Sequence, residues 1–171
     1  MLPVVIRKTA ENFGSSTAYV SPSGQTVTYN QLDKFSEEVA AWMQIQGIQE
    51  GSVVALCLPS SIEYILCYLA TAKLGAVTAG VNPRFTARER QEALKALEPD
   101  LILTSDNLGE RGPDNSQVEY VEISENTTEF LRNNRLKNST IEVLPPNPDR
   151  AVCICFTSGS TGTPKGALFT N

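Results

Sequence analysis

Histidine is absent from the 171 residues of this sequence. Without it, the chain cannot form a Ser–His–Asp triad, an HExxH zinc site or any other metal site with histidine ligands. The four cysteines include no CxxC pair, which argues against a zinc ribbon and against a thioredoxin-like redox centre. These absences argue against histidine-dependent nucleophilic catalysis and against the common zinc sites within this chain.

Positive charge and long apolar runs are also scarce. The sequence has 14 Lys and Arg against 19 Asp and Glu, a formal net charge of −5. This balance argues against nucleic acid or an anionic membrane surface as the main partner. The first residues contain no apolar stretch long enough for a signal peptide, and the most apolar segment, 64–81, is interrupted by Lys73, Gly75 and Gly80. We therefore expect no membrane span and a cytoplasmic protein.

Two of the cysteines, Cys153 and Cys155, lie two residues apart within an apolar run. On a β-strand their side chains would share one face, because strand side chains alternate. The pair has two interpretations. One is a metal-binding pair, and the other, which we favour, is two small buried hydrophobic side chains.

What the sequence does contain is an alternation of short apolar runs and amphipathic segments. The runs "AYV" and "TVTY" flank the turn-forming "SPSGQ" and predict a hairpin near residues 18–29. Further strands are predicted at "SVVALCLP", "AVTAGVNP" and "DLILTS", because each is a short apolar run bounded by turn residues.

Three helices are predicted between these strands, each opened by Ser or Thr with Gln or Glu three residues later. The capping pairs are Thr28 with Gln31, Ser60 with Glu63, and Thr86 with Glu89. Apolar residues follow each pair with helical periodicity, and Gly47 and Pro99 mark two of the helix ends. The order βαβαβαβ predicts an α/β domain with a largely parallel sheet and flanking helices.

The second half of the chain is less regular. A strand is predicted at "QVEYVEIS" and a short helix over 127–136, followed by the proline-rich "PPNPD", which cannot form a helix. The run "AVCICF" is apolar at all six positions and predicts a strand covered on both faces. We divide the chain into βα units over 18–104, a loop-rich connector over 105–150, and a strand with its following loop over 151–171.

That loop reads "FTSGSTGTPKG" over residues 156–166. Its glycines, Gly159, Gly162 and Gly166, let the backbone approach a ligand and point several N–H groups one way. Hydroxyl side chains and the charge of Lys165 add further donors, so the segment is suited to hold phosphate oxygens. It is not a Walker A loop, because Gly166 follows Lys165 where Ser or Thr would be required.

The next run, "ALFT", predicts another strand, so the loop would connect two strands. Walker A and dinucleotide-binding loops lead instead into a helix, whose N-terminus helps to bind phosphate. Because no helix N-terminus follows this loop, its hydroxyl groups and Lys165 would have to supply a larger share of the phosphate-binding energy. A flexible Gly/Ser linker is the alternative, but a linker does not require T-G-x-P-K-G between two apolar strands.

The loop resembles the signature phosphate loop of the adenylate-forming, or AMP-binding, enzymes: acyl-CoA synthetases, luciferases and peptide-synthetase adenylation domains. Other motifs are similar to the same family and occur in its order. They are the T-Y-x-x-L helix start, the G-x-x-x-G before the first central strand, the L-P-S turn and the K-x-G-A-V segment. The likeness covers Ala18 to Asn171, and "GAVTAGVNPRFTARE" is most similar to acyl-CoA synthetases.

The resemblance implies an enzyme that activates a carboxylic acid with ATP and Mg²⁺ and transfers the acyl group to CoA, as in fatty acid metabolism. Thr157 would lie near the Mg²⁺, and Lys165 would be the catalytic residue that follows the departing pyrophosphate. The ATP-binding residues implied by the match are Thr157, Ser158, Gly159, Ser160, Thr161, Gly162, Thr163, Pro164, Lys165 and Gly166.

The resemblance also implies that the family's acyl pocket and a small C-terminal domain with its own catalytic lysine follow the loop. We therefore expect residues 1–171 to be an incomplete N-terminal AMP-binding domain, inactive alone, whose partner is the rest of that domain. One departure is Asn171, where many relatives have His. Two alternatives remain open: an adenylation domain that loads a carrier-protein thiol, and a naturally short, noncatalytic protein that binds a nucleotide or pairs with a longer relative.

Overall fold

The computed structural model of the protein describes residues 2–105, 119–142, 144–157 and 165–171. The helices and strands in these ranges alternate for most of the chain. In chain order they are α1 (Leu2–Phe13), β1 (Thr17–Val20), β2 (Thr26–Thr28), α2 (Tyr29–Ile45), β3 (Val53–Cys57), α3 (Ile62–Lys73), β4 (Val77–Gly80), α4 (Ala87–Leu97), β5 (Leu101–Ser105), β6 (Glu119–Ile123), α5 (Thr127–Asn133), β7 (Ala151–Thr157) and β8 (Lys165–Thr170).

Six of these strands form one sheet in the order β6-β5-β3-β4-β7-β8. Neighbouring strands from β6 to β7 are parallel, and β8 is antiparallel to β7. Helix α3 connects the neighbouring strands β3 and β4, and α4 leads from β4 past β3 to β5; parallel strands require such crossover connections. The predicted α/β class, with a largely parallel sheet and flanking helices, is confirmed. The predicted hairpin is also confirmed, since β1 and β2 pair in antiparallel fashion.

Helices cover the two faces of the central strands, which we call the α3 face and the α4 face. On the α3 face, Leu56 and Leu103 join a core cluster with residues of α2, α3 and α5. On the α4 face, Ala55 and Ile102 pack with Leu94 of α4. Because successive side chains point to opposite faces, a strand covered on both sides has to be apolar throughout. This explains the unbroken apolar run of β3.

The N-terminal helix α1 was not predicted from the sequence. Leu2 and Ile6 pack against the core cluster of the α3 face, but Val5 and Phe13 are exposed. Met1, the residue before this helix, is not one of the Ser, Thr, Asp or Asn caps that marked the predicted helices, so no start signal identified it. Arg7 adds a polar attachment, because its guanidinium lies 3.3 Å from a carboxylate oxygen of α2.

Two of the three predicted capping boxes are present in the structure. The hydroxyl of Thr28 accepts a hydrogen bond from the Gln31 N–H, and the Gln31 side chain accepts one from the Thr28 N–H. The same reciprocal pair occurs between Thr86 and Glu89 at the start of α4. Gly47 follows the end of α2 with a φ of 86°, a conformation that glycine adopts without strain.

The third predicted box, Ser60 with Glu63, is wrong. Helix α3 is capped by Ser61, whose hydroxyl accepts a hydrogen bond of 3.2 Å from the Tyr64 N–H. The Glu63 side chain hydrogen-bonds instead to the hydroxyl of Thr127 at the start of α5. The Glu63 carboxylate, which the sequence spacing predicted to bond at the helix N-terminus, is therefore engaged in a tertiary contact instead.

We expect Ser61→Ala to lower the free energy of unfolding by about 1 kcal/mol, because the Tyr64 N–H loses its acceptor. Ser60→Ala is the matched control. This exposed neighbour caps nothing, so its change should stay within about 0.5 kcal/mol. Urea unfolding followed by circular dichroism, at a protein concentration where light scattering detects no association and unfolding is reversible, would measure both variants. Equal losses would contradict the assignment of Ser61 as the cap.

The elements predicted in the second half are present, with shorter bounds. The strand predicted in "QVEYVEIS" is β6, and the helix predicted over 127–136 ends at Asn133. Residues 145–149 contain no helix, and "AVCICF" lies in β7. The helices of the described ranges are too short or too polar for a bilayer crossing. The division into three parts, the cytoplasmic location and the absence of a nucleic-acid partner stay predictions.

Candidate functional site

The predicted phosphate loop starts where β7 ends. Strand β7 ends at Thr157 and β8 begins at Lys165, and these two residues are opposite each other in the antiparallel pair. The prediction that the loop connects two strands is confirmed. Residues 158–164 lie outside the described residues, as do the side chains of Thr157 and Lys165. Their predicted contacts with ATP and Mg²⁺ therefore stay predictions.

The loop begins at the carboxyl edge of the parallel sheet, beside the ends of β3 and β4. Helix α3 leaves the end of β3 on one face, whereas α4 leaves the end of β4 on the other. In open α/β sheets, the point where connections diverge in this way forms a crevice that binds ligands. Strand β7 is the next strand after β4. The fold therefore places the start of the loop next to this crevice.

Gly166 has a packing role at the other end of the loop. A Cβ atom at this position would stand 2.8 Å from the Cγ2 of Ile154 on β7. Its predicted role in binding phosphate is untested, but the close approach of β7 and β8 gives an independent reason for glycine here. The first two residues of β8 are thus held against the strand that leads into the loop.

A group of thiols and phenols lies on the α3 face beside this hairpin. Cys153 and Cys155 of β7 are opposite Thr78 and Gly80 of β4. Because Gly80 has no side chain, the hydroxyl of Tyr64 can lie 3.3 Å from the place where a Cβ would be. Tyr64 was not recognised in the sequence, since an aromatic residue in the first turn of an apolar helix carries no distinguishing signal.

Burial raises the pKa of the Tyr64 phenol, and the neighbouring Tyr68, Cys155 and Cys153 raise it further. Burial and the adjacent Cys155 also raise the pKa of the Cys153 thiol. The Tyr64 phenol and the Cys153 thiol are therefore protonated near neutral pH and can donate hydrogen bonds. The favoured interpretation of both cysteines as buried was wrong: Cys153 is half-buried and Cys155 is exposed, although the phenols of Tyr64 and Tyr68 lie near them.

Polar contacts hold the carboxyl edge together on the side away from β7. The hydroxyl of Ser105, at the end of β5, hydrogen-bonds to the Glu125 carboxylate after β6. Glu63 is 3% exposed and bonds to Thr127. Among the described residues, no three His, Cys, Asp or Glu side chains are grouped so that they could hold a metal ion.

The sequence model of the AMP-binding enzyme family matches residues 6–171. The chain therefore belongs to this family of adenylate-forming enzymes, and the predicted resemblance is confirmed. It is 31% identical over 155 residues to 4-coumarate–CoA ligase 1 of Petroselinum crispum, covering 87% of this chain and 28% of that enzyme. It is 32% identical over 150 residues to the nonribosomal peptide synthetase atnA of Emericella nidulans, covering 87% of this chain and 2% of that protein.

Solved structures of the family have the same fold. A fatty acyl CoA synthetase from Mycobacterium tuberculosis superposes with a TM-score of 0.83 at 25% identity, covering 99% of this chain and 34% of that one. The chain thus spans about a third of this synthetase and 28–29% of the 4-coumarate–CoA ligases that it matches.

Proposed function

We propose that this chain supplies the ATP phosphate loop of an AMP-forming acid–thiol ligase, with residues 157–166 around the β- and γ-phosphates. One observation carries the proposal. In a member of the AMP-binding family, the loop leaves a parallel strand at the carboxyl edge of the sheet and returns as its antiparallel neighbour. The strand pair holds the backbones of Thr157 and Lys165 opposite each other, so the two ends of the loop start from neighbouring positions.

The proposed first step joins two anions. A carboxylate oxygen of the acid attacks the α-phosphorus of ATP, and the bond to the β-phosphate oxygen breaks, which gives an acyl-adenylate and pyrophosphate. Negative charge grows on the leaving pyrophosphate, so N–H, hydroxyl and ammonium donors aimed at it accelerate the reaction. In our proposal Lys165 supplies the ammonium group and the glycines supply N–H groups.

Mg²⁺ fits the donor set of this loop. It prefers oxygen ligands and usually keeps several waters, so one protein hydroxyl together with phosphate oxygens is a sufficient set. Thr157, at the end of β7, is the residue proposed to hold it. Bound there, Mg²⁺ would neutralise phosphate charge.

In the proposed second step, a thiol attacks the acyl carbon and AMP leaves. CoA is the proposed acceptor, because the 4-coumarate relatives are CoA ligases by name. The likeness to a peptide synthetase favours a second candidate, in which the acceptor is the thiol of a carrier protein. The named relatives also differ in their acids, 4-coumarate in one case and fatty acyl groups in another, so both classes belong in the test.

The test is carboxylate-dependent exchange of pyrophosphate into ATP by the polypeptide that the source gene encodes. We expect exchange with a hydroxycinnamic or a fatty acid, and AMP rather than ADP as the product. The 171-residue chain alone serves as the control, and we expect no exchange from it. Release of ADP, or ATP hydrolysis that does not depend on the acid, would contradict adenylate formation.

The thiol acceptor is determined by adding CoA or a phosphopantetheinylated carrier protein after adenylate formation. A CoA thioester is the expected product. A thioester formed only on the carrier protein would support the second candidate. Nucleotide binding with no exchange, from a gene that ends after Asn171, would instead support the third interpretation, a short noncatalytic protein.

A further inference from the structure

Arg150 lies directly before β7, and its side chain joins two separate segments of the chain. The guanidinium donates one hydrogen bond of 2.8 Å to the carboxylate of Glu50 and another of 3.1 Å to the backbone oxygen of Pro145. The side chain is only 9% exposed. Because a guanidinium presents its donors in fixed directions, these two bonds hold the segment that leads into β3 against the segment that leads into β7.

The same residue contacts both strands that flank β7. On one side, its Cδ lies 3.3 Å from the place where a Cβ of Gly75 would be, in the turn before β4. On the other side, its backbone oxygen accepts a hydrogen bond of 3.1 Å from the N–H of Asn171, directly after β8. Since β7 lies between β4 and β8, Arg150 links the amino end of β7 to both of its neighbours.

Strand pairing alone fixes the position of β7 only in part. The ladder with β4 pairs three residues and ends at Cys155, two residues before the end of β7. The ladder with β8 has a register shift between Ala151 and Cys153. Such an irregularity leaves a residue unpaired and disrupts the ladder locally. The contacts of Arg150 come directly before this interruption, where the ladder holds β7 least.

The stability of the fold is a weak reason for these contacts. Glu50 is 53% exposed, and an ion pair with a half-exposed partner contributes little to the free energy of unfolding. What the contacts of Arg150 share is their direction. They connect β7 to segments of β3, β4 and β8 at one end, and thereby resist movement of β7 along its own axis.

We propose that Arg150 is a positioning residue that sets where β7 lies along its axis, and with it the position of the phosphate loop at the opposite end of the strand. Strand β7 has seven residues and is about 20 Å long at about 3.3 Å per residue. Because an extended strand does not shorten easily, a shift at its amino end moves the backbone of Thr157 by a similar distance.

The catalytic consequence rests on the proposed function, in which the loop that follows Thr157 holds the phosphates of ATP. Misplacement of a reacting group by about 1 Å costs about 100-fold in rate, even when the substitution is far from the chemistry. Arg150 touches neither ATP nor the acid in this proposal. It acts through β7, and its loss should affect only the step that uses the phosphate loop.

The first test measures the two half-reactions of the polypeptide that the source gene encodes. In Arg150→Ala we expect acyl-adenylate formation to slow about 10–100-fold and the KM for ATP to rise. Transfer from preformed acyl-adenylate to the thiol should stay nearly unchanged. Arg150→Lys keeps the charge but cannot reach both acceptors, so it should recover part of the rate. Equal slowing of both half-reactions, or of neither, would overturn the proposal.

Arg88→Ala is the matched control. It removes the arginine of another pair with the same atoms in contact, Nε of Arg88 and a carboxylate oxygen of Glu92 at 2.9 Å. That pair lies on the surface of α4, so both half-reactions should be unchanged. Glu50→Ala breaks the ion pair of Arg150 from its exposed side and serves if Arg150→Ala does not fold. It should slow adenylate formation without slowing transfer, and an unchanged rate would count against the proposal.

Hydrogen exchange tests the position of β7 without depending on activity. In Arg150→Ala, amide exchange should become faster along the whole of β7 and at the start of β8, whereas peptides from β5 and α2 should keep their rates. Faster exchange only beside Arg150 would overturn the proposal, because the loop end would not respond. An equal increase in every peptide would also overturn it. If the unaltered polypeptide shows no acid-dependent pyrophosphate exchange, the proposed function fails, and hydrogen exchange still decides the role of Arg150.

Discussion

Replacing Lys165 with alanine is expected to slow acyl-adenylate formation by about 10²–10³-fold, the usual loss for one preorganised donor to a developing charge. The measurement is pre-steady-state adenylate formation by the active polypeptide. Transfer to the thiol from preformed acyl-adenylate should stay nearly unchanged, because pyrophosphate leaves only in the first step. The two half-reactions therefore separate a role in catalysis from a role in the fold.

The reason for this expectation is the growth of charge during the first step. Before reaction the β- and γ-phosphates already carry negative charge, and breakage of the bond to the α-phosphorus adds more to the leaving group. A cation that follows the pyrophosphate stabilises the transition state more than bound ATP, so kcat should fall more than the affinity for ATP.

Two further variants serve as controls. Lys165→Arg keeps the charge and should recover part of the rate, though not all, since a guanidinium differs from an ammonium in shape. Lys95→Ala removes an exposed lysine of α4, far from the loop in sequence, and should leave both half-reactions unchanged. Equal damage to both half-reactions by Lys165→Ala would show that Lys165 is structural.

Much of the scaffold could be predicted from the sequence because its local signals agree. The apolar run of β3 and the capping pair Thr86 with Glu89 each indicate the element that the structure contains. Alternating strands and helices then leave few topologies other than a parallel sheet. The strand order could not be predicted in this way. Long-range packing alone determines that β7 lies beside β4 rather than beside β6.

The predictions that failed did so where tertiary contacts compete with local ones. Ser60 and Glu63 have the spacing of a capping box, yet Thr127, which lies 64 residues after Glu63, takes that carboxylate. The burial of Cys155 was predicted from the apolar run around it, but apolar neighbours in sequence do not show whether a helix covers the strand. The same limit applies to the site, since "FTSGSTGTPKG" indicates phosphate binding without indicating where its donors point.

The final prediction concerns β8, which is expected to cause self-association of the isolated 171-residue chain. Among the described strands, β8 lies at the end of the sheet order, so one edge carries unpaired backbone groups. Leu168 is 61% and Phe169 is 50% exposed, on opposite faces of the strand. The neighbouring β7, predicted to be covered on both faces, has an exposed Cys155. An exposed apolar edge strand is a template for pairing with another chain.

The energy available from such pairing is large compared with the stability of a domain. Burial of about 400 Å² of apolar surface contributes on the order of 10 kcal/mol, and a whole domain is stable by only about 5–15 kcal/mol. We therefore expect light scattering of the isolated chain to rise with protein concentration, and thermal unfolding to be broad and poorly reversible. The double variant Leu168→Lys with Phe169→Lys should raise the concentration at which association begins by at least about tenfold, since lysine on an edge strand opposes pairing.

Ile45→Lys is the matched control for this effect. Ile45 is 68% exposed, but it lies at the end of α2 and has no open sheet edge. If exposed apolar area alone caused association, this substitution would suppress it as well as a change in β8 does. If the edge of β8 is the cause, Ile45→Lys should leave the scattering unchanged. A sharp, reversible and monomeric unfolding transition of the unaltered chain would contradict the prediction, because β8 would then be stable as a free edge.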